Sequence, residues 1–187
     1  MVYDTNSNTG VDMYKAERSS IGKYEIKGGS GQSIVKIQMP RKVWATDNAP
    51  LNPAVTAMGL NDRPQFEFQN RTLEARRALL TNNVLVNFFR IWIEDEGNLL
   101  IETSLNGAFK PSIIRYKGFE YSLVRHSFFS FRFTLEKDGQ VLAGFEDTTP
   151  FLTFSSHRTF GISHKQELDD VLLGFAFFLS VMAFFKS

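Results

Sequence analysis

A run of basic side chains between residues 103 and 132 is the part of the sequence best suited to binding chemistry. Its only acidic residue is Glu120, and its five basic residues are Lys110, Arg115, Lys117, Arg125 and Arg132. Arg115 and Lys117 are two residues apart, so on a strand they share one face, and a turn at Lys117 would bring Lys110 and Arg125 near them. Paired cations of this kind suit a phosphorylated head group, because arginine gives bidentate contacts and lysine a point charge. The candidate binding residues are therefore Lys110, Arg115, Lys117 and Arg125.

The same residues also fit a solvated strand face. Acidic side chains nearby in the sequence would balance them: Glu94, Asp95, Glu96 and Glu102. Because runs of charge usually belong to solvated faces, both interpretations stay open from the sequence.

No other group of residues has the spacing that catalysis or metal binding needs. The histidines are His126, His157 and His164; no two are four residues apart, and no carboxylate completes a metal signature. The run Ser155-Ser156-His157 lacks the glycine-flanked elbow of a nucleophile. We therefore predict a protein that is not an enzyme and that binds no metal or cofactor.

Composition narrows the class of protein. A chain of 187 residues is long enough for one sizeable core and short for two. Its 19 phenylalanines favour half-buried, pleated surfaces and hence a sheet. The net charge of +1 gives no global field toward nucleic acid, so an electrostatic partner would need a local patch. The absence of cysteine excludes disulfides and fits a cytosolic protein.

The chain is predicted to consist of a flexible N-terminal arm and one β-rich domain. Residues 1–20 lack periodicity and predict a frayed or loosely docked arm. Alternating apolar residues on both sides of the glycine-rich segment 28–31 predict a hairpin between Tyr24 and Ile37. The proline-rich stretch 40–64 predicts a long loop.

One short helix and a series of hairpins are predicted after this loop. Asn70 or Thr72 would cap a helix that continues to about Leu80. The segments that follow alternate as strands around turns, with a further strand near the end: turns at 95–98, 117–118 and 138–139, and a strand over 152–162. Residues 89–100 and 131–142 share five identical positions, which indicates either an internal repeat or convergence of two amphipathic hairpins.

The apolar run from Val171 to Phe185 predicts a C-terminal helix. Ser163 and Gln166 fit a capping box, and three acids follow near the first turns: Glu167, Asp169 and Asp170. A helix that is apolar on every face must be surrounded by protein or lipid. Its fifteen residues span roughly 22 Å, against ~30 Å for the hydrocarbon core of a bilayer. We therefore predict burial in the middle of the sheet, with a membrane anchor as the alternative.

A long apolar helix from Leu168 to Phe185 follows hairpins in which an aromatic or aliphatic strand leads into an acidic-glycine turn, as in Phe89–Ile101 and Phe131–Phe145. This arrangement resembles the tubby C-terminal-like superfamily, which includes tubby-like proteins, phospholipid scramblases and plant LURP-one-related proteins. The resemblance extends from about Ser20 to the end, but the chain lacks the cysteine-rich tract of scramblases. It implies a mainly β fold, a closed or nearly closed antiparallel β-barrel with a buried C-terminal hydrophobic helix threaded through it, in one domain over residues 21–187.

The resemblance also implies a function without catalysis. The expected activity is binding of phosphoinositides or other anionic phospholipids, or a role as a membrane-peripheral interaction module. On this view the chain is a cytoplasmic monomer with no nucleic-acid partner, and Lys110, Arg115, Lys117 and Arg125 contact the lipid. Two alternatives stay open: a tail-anchored membrane protein, and a β-barrel that carries a small ligand or catalyses an unknown reaction.

Overall fold

The structure, a computed structural model, describes most of the chain from residue 11 to residue 185. The described residues are 11–20, 22–40, 43–44, 47, 61–69, 71–83, 86–105, 111–127, 129–149, 158–165 and 168–185. Within them the strands and the helix are β1 (Val11–Ser20), β2 (Lys23–Lys27), β3 (Ser33–Gln38), β4 (Val43–Trp44), β5 (Asn61–Asp62), β6 (Gln65–Phe68), β7 (Arg71–Asn83), β8 (Val86–Asp95), β9 (Asn98–Leu105), β10 (Ser112–Tyr116), β11 (Phe119–Arg125), β12 (Arg132–Lys137), β13 (Gln140–Asp147), β14 (Thr159–Lys165) and α1 (Asp170–Phe185).

Twelve of these strands close into one barrel. Their order is β1-β14-β13-β12-β11-β10-β9-β8-β7-β6-β3-β2, and pairing of β1 with β2 closes the ring. Every neighbouring pair in the barrel is antiparallel. The predicted fold class, a closed antiparallel β-barrel with a C-terminal helix, is confirmed.

The two ends of the barrel differ in their connections. Because neighbouring strands are antiparallel, successive connections alternate between the ends. We call one end the turn end; it carries the short hairpin turns at residues 28–32, 69, 96–97, 117–118 and 138–139. The other is the loop end, and its described connections include Gly22, residues 126–127 with 129–131, and residues 148–149.

Three hairpin turns at the turn end have the same backbone conformation. Both residues of each turn have positive φ: Glu96 (50°) with Gly97 (82°), Lys117 (49°) with Gly118 (78°), and Asp138 (50°) with Gly139 (75°). Two consecutive positive φ values define a turn whose twist matches that of its strands. The likeness between hairpins 89–100 and 131–142 extends to register, since the ladders shift at the corresponding pairs Ile93/Glu94 and Leu135/Glu136.

The helix α1 is buried in the middle of the barrel, as predicted. Every residue from Val171 to Val181 is buried, on all faces of the helix. The Phe177 ring meets four aromatic rings of the wall at centroid distances of 5.4 to 6.1 Å: Tyr24, Phe131, Phe145 and Phe160. The adjacent Phe178 ring meets Phe66 of β6 at 5.2 Å. Strands from different parts of the ring thus surround α1.

A glycine allows α1 to come close to the wall. A Cβ on Gly174 would lie 3.2 Å from Val35 Cγ1 and 3.4 Å from Phe68 Cε1. Such distances are tighter than ordinary carbon contacts, so the helix backbone lies directly against β3 and β6 at this point.

The start of α1 differs from the predicted capping box. Ser163 lies within β14 and pairs with Met13 and Gly144, so it is not the cap. The capping residue is Asp169, whose Oδ1 accepts a hydrogen bond from Val171 N at 2.9 Å. Gln166 lies outside the described residues. The prediction of a capping box was wrong because β14 continues to Lys165.

The predicted flexible arm over residues 1–20 is wrong for residues 11–20. These residues form β1, which pairs with β14 on one side and β2 on the other. Ala16 is fully buried, while Met13 is 64% exposed, so the apolar alternation that marks most strands is weak here. Ladder hydrogen bonds on both edges hold β1 in place. Residues 1–10 lie outside the described part.

The predicted helix from residue 70 or 72 to residue 80 is also wrong. Residues 71–83 form β7, paired with β6 and β8. Leu73 and Ala75 are buried and Glu74 between them is exposed, which is the period of a strand. The Leu, Ala, Glu and Arg residues of this segment favour helices in isolation, but pairing on both sides overrides that weak preference.

The predicted long loop over residues 40–64 contains one short sheet in its described parts. Val43–Trp44 and Asn61–Asp62 pair in parallel as β4 and β5, and Trp44 lies 5.8 Å from the Phe178 ring. The rest of this stretch from 41 to 60, apart from Asp47, lies outside the described residues. Among the residues that are described, no helix has both the length and the hydropathy to span a bilayer.

Candidate functional site: an arginine-lined barrel mouth

Strand alternation places four arginines on the inner face of the barrel toward the loop end. We call this set the arginine mouth: Arg18 on β1, Arg77 on β7, Arg125 on β11 and Arg158 just before β14. Three of them pair in register with an inward-facing residue: Arg18 with Tyr24, Arg77 with Ile91 and Arg125 with Phe133. Directly opposed residues of two strands share a face, so these guanidinium groups start from inward positions.

Arg125 joins the end of α1 to the β11–β12 connection. Its Nη1 donates to Ala183 O at 3.2 Å and its Nε donates to Ser127 O at 2.8 Å. The guanidinium carbon lies 5.6 Å from the centroid of the Phe184 ring. The last carbonyls of a helix lack partners within the helix and carry partial negative charge. Arg125 therefore stabilises the C-terminus of α1.

Arg158 lies beside the last residues of α1. Its guanidinium carbon is 4.9 Å from the centroid of the Phe185 ring, and its Nη1 is 3.2 Å from Asp147 Oδ2. The backbone carbonyl of Arg158 accepts a hydrogen bond from Arg18 N at 2.8 Å. Burial raises the pKa of Tyr24, and the positive charges of Arg18 and Arg158 act against that rise. These arginines are therefore close enough to act on one buried phenol.

Arg77 is the most unusual cation of the arginine mouth. Its guanidinium carbon lies 5.0 Å from the centroid of Trp44 and 5.1 Å from that of Phe89, and its Nη2 donates to Trp44 O. Its Nε is buried and has no hydrogen-bond partner among the described residues. Burial lowers the pKa of Arg77, but guanidinium remains charged at any physiological pH.

No carboxylate of the described residues forms an ion pair with Arg77. The nearby Asp47 instead contacts Arg63 at 2.9 Å and Arg76 at 3.9 Å. A partly buried cation gains most from an anionic partner because its surroundings screen charge less than water does. Chemically, the arrangement can accept a bidentate oxyanion.

The predicted binding residues do not converge. Lys117 is at the turn end, where its Nζ lies 2.8 Å from Asp169 Oδ2 just before α1. Arg125 contacts Ala183 near the other end of the helix. Asp169 and Ala183 are 14 positions apart in sequence, about 21 Å along a helix. Lys117 and Arg125 thus belong to opposite ends of the barrel.

Arg115 and Lys110 complete the predicted set. Arg115 faces outward on β10, with its Nε 2.9 Å from Glu120 Oε1 and its Nη1 3.6 Å from Glu102 Oε1. The hydrogen bond from Arg115 to Glu120 raises the pKa of Arg115. This geometry is that of a solvated face balanced by carboxylates, the alternative interpretation of the basic run. Lys110 lies outside the described residues.

The rim of the loop end carries exposed aromatic rings. Phe129 is 99% exposed and Phe185 is 41% exposed. The Oγ of Ser127 accepts hydrogen bonds from Phe129 N at 3.2 Å and Ser130 N at 3.1 Å. The backbone next to Phe129 is therefore fixed by a side-chain turn rather than left without partners.

Three of the four arginines of the mouth were missed from the sequence. Arg18 lay in the segment interpreted as an arm, and Arg77 in the segment interpreted as a helix, so neither had an assigned face. Arg158 fell inside the predicted strand 152–162 without a neighbour to define its direction. Their common signal is an arginine two residues from a buried apolar residue: Ala16, Ala75 or Phe160.

Of the two described histidines, His126 is exposed, and the buried His164 has one ring nitrogen, Nε2, without a hydrogen-bond partner among the described residues. His126 Nε2 is 2.8 Å from Thr134 Oγ1, and the buried His164 has its Nδ1 2.8 Å from Lys165 O. His157, with the serines before it, lies outside the described residues. Within the described part, no three His, Cys, Asp or Glu side chains are grouped as metal ligands would be.

Comparison with known proteins identifies no relative of this chain. No family model, curated protein or solved structure matches the chain. The fold defines the class of protein, a helix-filled antiparallel barrel, and the resemblance to the tubby C-terminal-like superfamily stays a prediction from the sequence.

Proposed function

We propose that this protein is a non-enzymatic, membrane-peripheral module that binds anionic phospholipid head groups at the loop end of its barrel. The observation that carries the proposal is Arg77, a half-buried guanidinium that has no carboxylate partner among the described residues. A phosphate would supply the missing counter-charge through bidentate hydrogen bonds. In this proposal the protein acts in the cytoplasm as a monomer and needs no cofactor.

The rest of the arginine mouth supports an anionic ligand. Arg125 brings a further guanidinium group to this end of the barrel, where it contacts the carbonyls of Ser127 and Ala183. Two described carboxylates lie next to these arginines. Asp147 is paired with Arg158, and Asp47, beside Arg77, contacts Arg63 and Arg76 instead. Four guanidinium groups therefore outnumber the described carboxylates at the mouth.

The ligand is a head group at the mouth rather than a molecule inside the barrel. The interior is filled by α1, whose buried residues run without a break from Val171 to Val181. A phosphorylated head group needs only the rim, where Phe185 and Arg158 lie. Anionic lipids, including phosphoinositides, carry their phosphates at the membrane surface, where this rim would meet them. Each basic residue near such a surface contributes about 1 kcal/mol to binding.

Two double variants that remove the same formal charge test the proposal. Arg77→Gln with Arg125→Gln changes the mouth, while Arg115→Gln with Lys117→Gln changes the outer wall and the turn end. Loss of two mouth contacts should weaken binding to phosphatidylcholine vesicles containing phosphatidylserine or a phosphoinositide by about 30-fold. The wall variant should lose less than about threefold, because only screened, long-range attraction is removed.

The readout is co-sedimentation with vesicles at low salt, with thermal melts to check that each variant is folded. If the mouth variant melts early, the single change Arg158→Gln replaces it, with an expected loss of about fivefold. Absence of wild-type binding to every anionic vesicle would refute the proposal. A greater loss in the wall variant would move the site to Arg115 and Lys117.

A further inference from the structure

We propose that Phe129 inserts into the apolar part of the bilayer, so that the barrel stands on its loop end with the arginine mouth at the phosphates. This inference rests on the proposed function. It adds the orientation of the barrel on the membrane and a second, apolar contact between Phe129 and the lipid. The partner is a lipid bilayer, in which the phosphates of the head groups lie at the surface and the hydrocarbon chains lie beneath them.

The exposure of Phe129 is the first observation. Its side chain is 99% exposed, whereas Phe131, just before β12, and Phe133, on β12, are each 2% exposed. A fully exposed phenylalanine leaves a large apolar surface in water at a cost that burial elsewhere would remove. It covers nothing among the described residues.

The backbone beside Phe129 is held in place, which is the second observation. Ser127 Oγ accepts hydrogen bonds from the N–H groups of Phe129 and Ser130 at 3.2 and 3.1 Å. Ser127 O in turn accepts from Arg125 Nε at 2.8 Å. A segment already fixed in its projecting conformation loses less conformational entropy on insertion than a free loop does.

Charge decides which end meets an anionic surface. The loop end has the arginine mouth, and Phe185 with Arg158 against its ring lies at the same end as Phe129. The turn end carries a group of carboxylates: Asp95, Glu96, Asp138, Asp169 and Asp170. An anionic bilayer attracts the loop end more strongly, because Arg71, Lys117 and Lys137 offset these carboxylates only in part.

The turn end also carries an exposed aromatic ring, but this ring is less suited to insertion than that of Phe129. Phe119, at the start of β11, is 51% exposed, but Lys137 Nζ lies 3.5 Å from the centroid of its ring. Inserting Phe119 would drag this ammonium and the neighbouring carboxylates toward hydrocarbon. An apolar ring that projects beyond arginines, as Phe129 does, matches the layering of a lipid surface instead.

The first measurement compares two phenylalanines at opposite ends. Phe129→Ala should lower the partition coefficient onto phosphatidylcholine vesicles containing phosphatidylserine by about tenfold or more, the effect of withdrawing one phenyl ring from an apolar phase. Phe119→Ala makes the same change at the turn end and should alter the coefficient less than about twofold. Both side chains are exposed, so both variants should fold.

The second measurement locates the inserted end directly. The chain has no cysteine, so Ser130→Cys and Ser33→Cys each give one site for an environment-sensitive dye, at the loop end and the turn end. On adding the vesicles, the dye at position 130 should brighten and be quenched by nitroxide-labelled lipid. The dye at position 33 should change in neither respect.

The outcomes separate this inference from the proposed function. If wild-type protein fails to bind anionic vesicles, the proposed function is overturned and the inference with it. If wild type binds but Phe129→Ala binds equally well, or the dye at position 130 stays in water, only the inference is overturned. If wild type self-associates without vesicles and Phe129→Ala does not, the ring serves a protein interface and the inference is again overturned.

Discussion

Replacing Phe177 by alanine removes a ring that is fully buried at the centre of the barrel. The ring touches four others, and the nearest is Phe160 at 5.4 Å. Because strands on this side of α1 are fixed by ladder hydrogen bonds, they cannot collapse far into the space that is left. We therefore expect the upper part of the usual range for Phe→Ala, a loss of about 3–5 kcal/mol in the free energy of unfolding. For a chain of this size that is a fall of roughly 6–20 °C in Tm.

The matched control is Phe129→Ala, the same chemical change at a residue that is 99% exposed. It should alter the free energy of unfolding by no more than about 0.5 kcal/mol. Urea unfolding followed by circular dichroism measures both values, and equal m-values would show that the two variants unfold to comparable states. A loss below about 1 kcal/mol for Phe177→Ala, or equal losses at the two positions, would contradict a helix that fills the barrel.

Two further predictions concern the turn end. Burial raises the pKa of Asp169, but hydrogen bonds from Lys117 and Val171 outweigh this and leave it lowered; Asp169→Asn should therefore cost about 0.3–1 kcal/mol at neutral pH. A carboxyl group with a lowered pKa stabilises the fold above its unfolded-state pKa of ~3.9, and this stabilisation is lost as pH falls through the folded-state pKa. The difference in free energy of unfolding between wild type and Asp169→Asn, measured by urea melts, should therefore disappear below about pH 4. A difference that stays constant with pH would contradict this role of Asp169. Gly139→Ala should cost about 1–2 kcal/mol because its φ is 75°; the new Cβ would meet no atom within 4 Å, so the cost is backbone strain alone. Gly29→Ala, where φ is not positive and the new Cβ would lie at an ordinary 3.9 Å from Met13 O, should be near neutral by the same melts.

The helix and the hairpins could be predicted because their signals are local. The run 171–185 is apolar on every face, which leaves burial as the only stable solution in water. Turns such as Asp138-Gly139 require positive φ at fixed places, and glycine marks one of them. Such features depend on a few neighbouring residues and hold wherever the segment lies in the fold.

The strands β1 and β7 could not be predicted because their partners define them. β1 closes the ring between β14 and β2, which are far from each other in sequence. The exposed Met13 hides the alternation of β1, and the helix-favouring residues of β7 gave the wrong local preference. Unless β1 and β7 are known to be strands, nothing shows that Arg18 and Arg77 face inward. The arginine mouth could therefore not be predicted from the sequence.

The direction of α1 links the core to the proposed surface. The N-terminus of a helix favours anions and the C-terminus favours cations; here Asp169 precedes the first turn and Arg125 contacts a carbonyl of the last. A buried helix makes this demand stronger, because its ends are less well solvated than those of a surface helix. The barrel therefore needs cations at its loop end for stability alone. Arg125 meets that need, but Arg77 contacts Trp44 and Phe89 rather than a helix carbonyl. The demand of the helix thus does not account for Arg77, which is why we propose an external anion as its partner.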